Sequence, residues 1–122
     1  MIGYITLGTN NLEKASEFYD KLLGEMGANR FLETDRFISW SFGPGLTRIS
    51  IIKPFDNNPA TVGNGNMVAL HVKSKEEVDR LHKLVLELGG TNEGDSGPRG
   101  DNGFYTGYFR DLDGNKLSFF NI

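Results

Sequence analysis

Short runs with a two-residue apolar period alternate along the chain with two longer stretches of helical period. Ile2 to Leu7 reads as a strand, and Asn10 or Asn11 can cap a helix that begins near Leu12. Within that helix Leu12, Ala15, Tyr19, Leu22, Leu23 and Met26 share one stripe, Glu13, Lys14, Glu17, Asp20 and Lys21 lie outside it, and Gly27 ends it. Candidate strands follow at Asn29 to Glu33, Phe37 to Phe42 and Thr47 to Lys53. They are separated by Thr34-Asp35-Arg36 and Gly43-Pro44-Gly45, which suit tight antiparallel connections. Residues 54–65 have too little apolar content for an element and read as a crossover. Asn66 to Val72 is the next strand, Ser74-Lys-Glu-Glu77 is a capping box, and Val78, Leu81, Val85 and Leu88 form the second helical stripe, stopped by Gly89-Gly90. A weak strand near Thr91 to Glu93 leads into a glycine-rich loop, Gly94 to Gly103, which reads as a mobile flap. Phe104 to Arg110 and Lys116 to Asn121 make a hairpin around Asp113-Gly114.

The pattern repeats. Shifted by 63 residues, Tyr4 to Leu12 lies over Met67 to Lys75, each strand leading into an amphipathic helix. The expected fold class is therefore α+β: two tandem βαβββ modules, 1–53 and 66–122, joined by the 54–65 linker in a single domain, 1–122. They are expected to form a curved mixed sheet with a central cleft and helices on the outer face. Strand alternation sorts the side chains. If the helices cover the aliphatic positions Ile5, Leu7, Ile49, Ile51, Val68, Leu70, Leu117 and Phe119, the opposite face carries Tyr4, Thr6, Arg48, Ser50, Ile52, Met67, Ala69, His71, Ser118 and Phe120. That polar and aromatic mixture suits a ligand cleft, or alternatively a second minor core.

Composition narrows the function. A net charge of −3 and a pI near 5.3 supply no basic stripe, so nucleic acid is not expected as a partner. The absence of cysteine excludes a disulfide framework, a thiolate nucleophile and a zinc-thiolate site. No apolar run is long enough to span a bilayer, and no N-terminal apolar segment resembles an export signal, so a cytoplasmic protein is expected. The glycine clusters at 94–97 and 100–103 open no helix and lack the Gly-Lys-Ser/Thr ending of a phosphate loop. A Gly-x-Ser-x-Gly elbow is also missing.

Several side chains remain as candidates. His71 shares the cleft-facing parity and can act as a general base or ligand contact, or serve structure alone, since no carboxylate on its strand face orients it. His82 sits beside the second helical stripe and reads as an exposed or boundary residue. Arg48 and Arg99 each offer a planar fork to a carboxylate or phosphate, although Arg48 can equally be a solvated strand residue. Trp40, Tyr105 and Tyr108 suit stacking or core packing, and alternation puts Tyr105 and Tyr108 on opposite faces.

The opening Ile2 to Leu23, with its Asn11-Leu-Glu-Lys-Ala-Ser-Glu-Phe-Tyr19, resembles the start of the glyoxalase, bleomycin-resistance and extradiol-dioxygenase (vicinal oxygen chelate) superfamily, and Pro59 to Met67, Gly89-Gly-Thr91, Gly94 to Arg99 and Phe104 to Leu117 are similar to a small bacterial glyoxalase-like branch of it. The resemblance implies paired βαβββ modules, a homodimer and a small-molecule site. Metal-dependent members place ligands on the first and last strands of each module, and these positions fall on Tyr4, Ser50, Met67 and Ser118. None supplies the imidazole or carboxylate that Fe(II), Mn(II), Ni(II) or Zn(II) requires. The expectation is therefore a protein that binds a small organic molecule in a metal-free cleft through Tyr4, Arg48, Ser50, Met67, His71, Arg99, Tyr105 and Ser118, with no cofactor. The alternative is a glyoxalase-like lyase or isomerase in which His71, a tyrosine or a divalent metal recruited elsewhere performs proton transfer.

Overall fold

In a computed structural model describing Met1–Ile122, the chain forms two units, Met1–Thr61 and Val62–Ile122. The first contains β1 (Tyr4–Gly8), α1 (Leu12–Gly24), β2 (Asn29–Glu33), β3 (Phe37–Ser41) and β4 (Arg48–Ile52). The second contains β5 (Val68–His71), α2 (Lys75–Glu87), β6 (Thr91–Pro98), β7 (Tyr105–Arg110) and β8 (Lys116–Asn121). Each unit is thus a βαβββ module. Its sheet has four strands, ordered β1-β4-β3-β2 in one and β5-β8-β7-β6 in the other, with the first and last strands parallel and the other pairs antiparallel. The α+β class stands, with the mixed sheet realised as two separately hydrogen-bonded sheets.

The helices preserve the repeat: α1 and α2 start and stop at the same 63-residue offset, as do their caps Asn11 and Ser74. Asn11 accepts from the Lys14 amide at 3.0 Å and Ser74 from the Glu77 amide at 3.1 Å. The Glu77 carboxylate, expected to complete the capping box, is held by Arg80. Asn10 has a different task, gripping Ala60 through its N–H at 2.7 Å and its C=O at 3.3 Å. The first part of the linker, to Thr61, accordingly belongs to the first unit.

In the first unit Phe18, Tyr19, Leu22 and Leu23 of α1 are buried with Ile38, Trp40, Ile49 and Ile51 of the sheet. The Trp40 indole N–H closes this core by donating to Asp20 at 2.9 Å. In the second, Val78, Leu81 and Val85 are buried with Phe109, Leu117 and Phe119. Fully burying one such aliphatic side chain is worth about 1.5–3 kcal/mol, so these faces supply most of the driving force for folding.

Three expectations are corrected. Residues 94–98 are not part of a flap: they continue β6 to Pro98, paired with β7 through Gly94↔Tyr108, Gly97↔Thr106 and Pro98↔Tyr105. The register shifts between Asn92 and Gly94 and between Gly94 and Gly97, and such irregularity erases the alternation by which a strand is recognised. His82 is buried, at 5% exposure, rather than exposed or at a boundary. Its Nε2 lies 3.1 Å from the Tyr108 carbonyl oxygen, which can only accept, so Nε2 donates. The ring occupies the space left by Gly107, where an added Cβ would stand 2.8 Å from His82 Cδ2. Finally, the β7–β8 connection is built on Asp111, whose Oδ1 accepts from the Asp113 and Asn115 amides at 2.9 Å each, and only Gly114 takes a positive φ.

Candidate functional site

Each sheet has one face under its helix and one open face, and strand register decides which side chains reach the latter. In the first unit Tyr4↔Arg48, Thr6↔Ser50 and Gly8↔Ile52 pair across β1 and β4, while Phe37↔Ile52 and Ser39↔Ser50 pair across β3 and β4. These residues share the face opposite α1. Of these, Tyr4, Phe37, Ser39, Arg48, Ser50 and Ile52 line a pocket of about 310 Å³ with Leu32 of β2. At its base the buried Ser50 hydroxyl donates to Ser39 Oγ at 2.9 Å. At its rim the Arg48 guanidinium lies 4.6 Å from the centroid of the Phe31 ring, within cation–π range.

In the second unit the open face carries Ala69 and His71 of β5, Ser118 and Phe120 of β8, and Thr106 and Tyr108 of β7. His71 stacks on Phe120 with centroids 5.0 Å apart, and Phe104 meets the same ring at 5.6 Å. Tyr108 is the centre of a basic cluster, with Lys116 Nζ 5.4 Å and Arg99 Cζ 5.6 Å from its ring centroid. Met67, Tyr108, Arg110 and Lys116 line an open pocket of about 630 Å³ with the 62–66 segment.

The eight expected ligand-binding residues therefore fare differently. Tyr4, Arg48 and Ser50 come together in the first unit, and Met67, His71 and Ser118 belong to the second, Met67 lining its pocket and the other two facing the same side of its sheet. Arg99 spends its guanidinium on its own backbone, donating to the carbonyls of Asp95, Gly97 and Pro98 at 2.7–3.2 Å, so it fixes the end of β6. Tyr105 is corrected: it pairs with Asn121 on the helix side, and its hydroxyl donates to Asp79 of α2 at 2.7 Å. That hydrogen bond to Asp79, reinforced by desolvation and the negative charge, raises the phenol above its ordinary value. Tyr108, excluded from Tyr105's side by alternation, is the tyrosine that faces the pocket.

Sequence reasoning passed over Ser39, Leu32, Phe37 and Lys116, and named Tyr108 only as a ring for stacking or core packing. Lys116 had a readable signal, because Arg48-Ile-Ser50 and Lys116-Leu-Ser118 are equivalent tripeptides on the last strand of each module.

A divalent ion does not fit these donors. The open face of the first unit presents a phenol and hydroxyls, and that of the second the Met67 thioether, the Ser118 and Thr106 hydroxyls, the Tyr108 phenol and a single imidazole already stacked on Phe120. No group of three His, Asp or Glu side chains converges anywhere in the molecule.

Comparison with known proteins agrees with the architecture. The family model described as Glyoxalase/Bleomycin resistance protein/Dioxygenase superfamily matches residues 1–119. Among solved structures, a glyoxalase/bleomycin resistance protein from Albidiferax ferrireducens T118 is 30% identical with a TM-score of 0.89, over 100% of this chain and 98% of that one. A hypothetical protein from S. aureus is 27% identical with a TM-score of 0.75, over 100% and 93%. A lactoylglutathione lyase from Agrobacterium tumefaciens shares the fold at 23% identity and a TM-score of 0.74, over 99% and 92%. No curated protein matches the sequence.

Proposed function

Because the chain belongs to the glyoxalase/bleomycin resistance protein/dioxygenase superfamily, we propose that it binds a small organic molecule on the open faces of its sheets without a resident divalent metal. The observation that carries this reading is the donor set: Tyr4 and Ser50 in one module and Met67 and Ser118 in the other stand where metal-dependent relatives are expected to place ligands. The pocket of the first unit supports this reading with apolar walls, hydroxyls and one cation, and that of the second with two cations beside Tyr108 and Met67. The same reading has the protein acting as a cytoplasmic homodimer, apart from nucleic acid and membrane. The pI near 5.3 supports the first exclusion, and no helix is long and apolar enough to cross a membrane.

Metal analysis of protein purified without chelator, with thermal shifts in Mn, Fe, Co, Ni and Zn, tests the metal-free reading. Substoichiometric metal and an unchanged midpoint are expected, because a ligand that binds only the native state raises it. One equivalent of tightly held metal overturns the proposal. Light scattering at micromolar concentration tests the dimer.

A further inference from the structure

Arg48 is an unusual cation in this molecule. The chain has 16 acidic residues against 13 Lys and Arg, and the neighbouring Arg30 is taken by Asp20 and Glu33 at 2.7 and 2.8 Å. Yet Arg48 is half-buried, rests on Phe31, makes no ion pair, and lines a pocket with no acidic residue in its wall. Leu32, Phe37 and Ile52 make that wall apolar. The Ser39–Ser50 bond at its base uses one hydroxyl hydrogen of two, leaving the second O–H to donate. A half-buried guanidinium without a counter-ion, above apolar walls and a hydroxyl donor, is complementary to an anion with a flat apolar body.

The internal repeat carries the same device independently. Lys116 occupies the position of Arg48, two residues before the matched serine, and it too lies over an aromatic ring, that of Tyr108. Both modules thus put a cation and an aromatic ring together on the open face, although the ring comes from β2 in one and β7 in the other.

We propose that the pocket of the first unit selects an organic carboxylate on a flat apolar body. Arg48 holds the carboxylate, Phe31, Leu32, Phe37 and Ile52 cover the body, and the Ser39–Ser50 pair donates to a second acceptor. The inference rests on the binding function proposed above and deepens it by naming the ligand class.

The test compares 1-naphthaleneacetate with its uncharged isostere 1-naphthaleneacetamide by isothermal titration calorimetry at low salt, using the wild-type protein, Arg48→Met and Arg48→Lys. The expected result is at least about a 10-fold preference for the carboxylate in the wild type. It is partly kept by Arg48→Lys, lost in Arg48→Met, and reduced by 200 mM salt because the site is partly exposed. Far-UV circular dichroism verifies that both variants fold. Equal binding of acid and amide by the wild type, or a preference that survives Arg48→Met, overturns the anion selection while leaving small-molecule binding standing. Binding of neither compound at millimolar concentration overturns both.

Discussion

Asp20 holds two strands against α1 at once. One carboxylate oxygen receives the Trp40 indole N–H and the Arg30 Nε–H, both at 2.9 Å, and the other receives Arg30 at 2.7 Å. The Arg30 hydrogen bonds, helped by the Trp40 donor and outweighing desolvation, lower its pKa from the ordinary 3.8. The native state therefore binds this proton less readily than the unfolded chain. The contribution is fully present above the unfolded value and is lost as pH falls through the folded one. Asp20→Asn should weaken the pH dependence of urea unfolding below pH 4 while keeping an acceptor for Trp40. Asp20→Ala also strands the indole N–H of a residue 1% exposed, and at pH 7 is expected to cost about 1–3 kcal/mol by urea midpoint. Asp20 was legible only as a polar residue off the helical stripe, because its partners lie 10 and 20 residues away.

At the level of elements, both helix starts and the end of α2 were readable nearly to the residue, since stripe and cap point the same way, whereas α1 ends at Gly24, before the Met26 and Gly27 expected to finish it. Phe18 is a second exception. It lies outside the apolar stripe read from the sequence, yet it is buried and packs edge-on against Tyr19 at 5.0 Å. The glycine pair after α2 does two separate things. Gly89 takes φ 99°, and Gly90 lets β6 and β7 approach, with the Arg110 carbonyl oxygen 2.9 Å from where a Cβ would stand. Gly90→Ala must also displace Val85 and is expected to cost about 1–3 kcal/mol, measured by thermal or urea denaturation. Asn11→Ala, which removes the cap and leaves the Asn10 grip on Ala60, is expected to cost about 1 kcal/mol in the same assay. The choice between Asn10 and Asn11 was open from sequence because either asparagine can cap, and only the return of the chain at Ala60 assigns Asn10 elsewhere. β6 was lost past Glu93 for a related reason. Its pairing is set by β7, and Gly94, Gly97 and Pro98 carry no strand preference of their own.

For the molecule as a whole, the repeat located the open faces, and alternation in the sequence put Tyr4, Ser50, Met67 and Ser118 on the sides away from the helices. Pocket membership was less visible, because Ser39, Phe37 and Leu32 enter through antiparallel register across β3 and β2, and a bulge between Arg30 and Leu32 resets that register. Charge acts at this scale too. With a pI near 5.3, the protein is expected to be least soluble close to pH 5.3 and to clear as pH rises to 8, which turbidity measures directly. The twice-shifted pairing of β6 bears on how molecules meet there. An outer strand with regular, evenly spaced amide groups invites a neighbouring chain to extend the sheet, the first step toward a fibril. β6 breaks that spacing between Asn92 and Gly94 and again before Gly97, and closes with a proline that has no N–H to offer. Along this edge, crowded molecules are guided to clump as folded particles that redissolve, and growth into cross-β ribbons is discouraged.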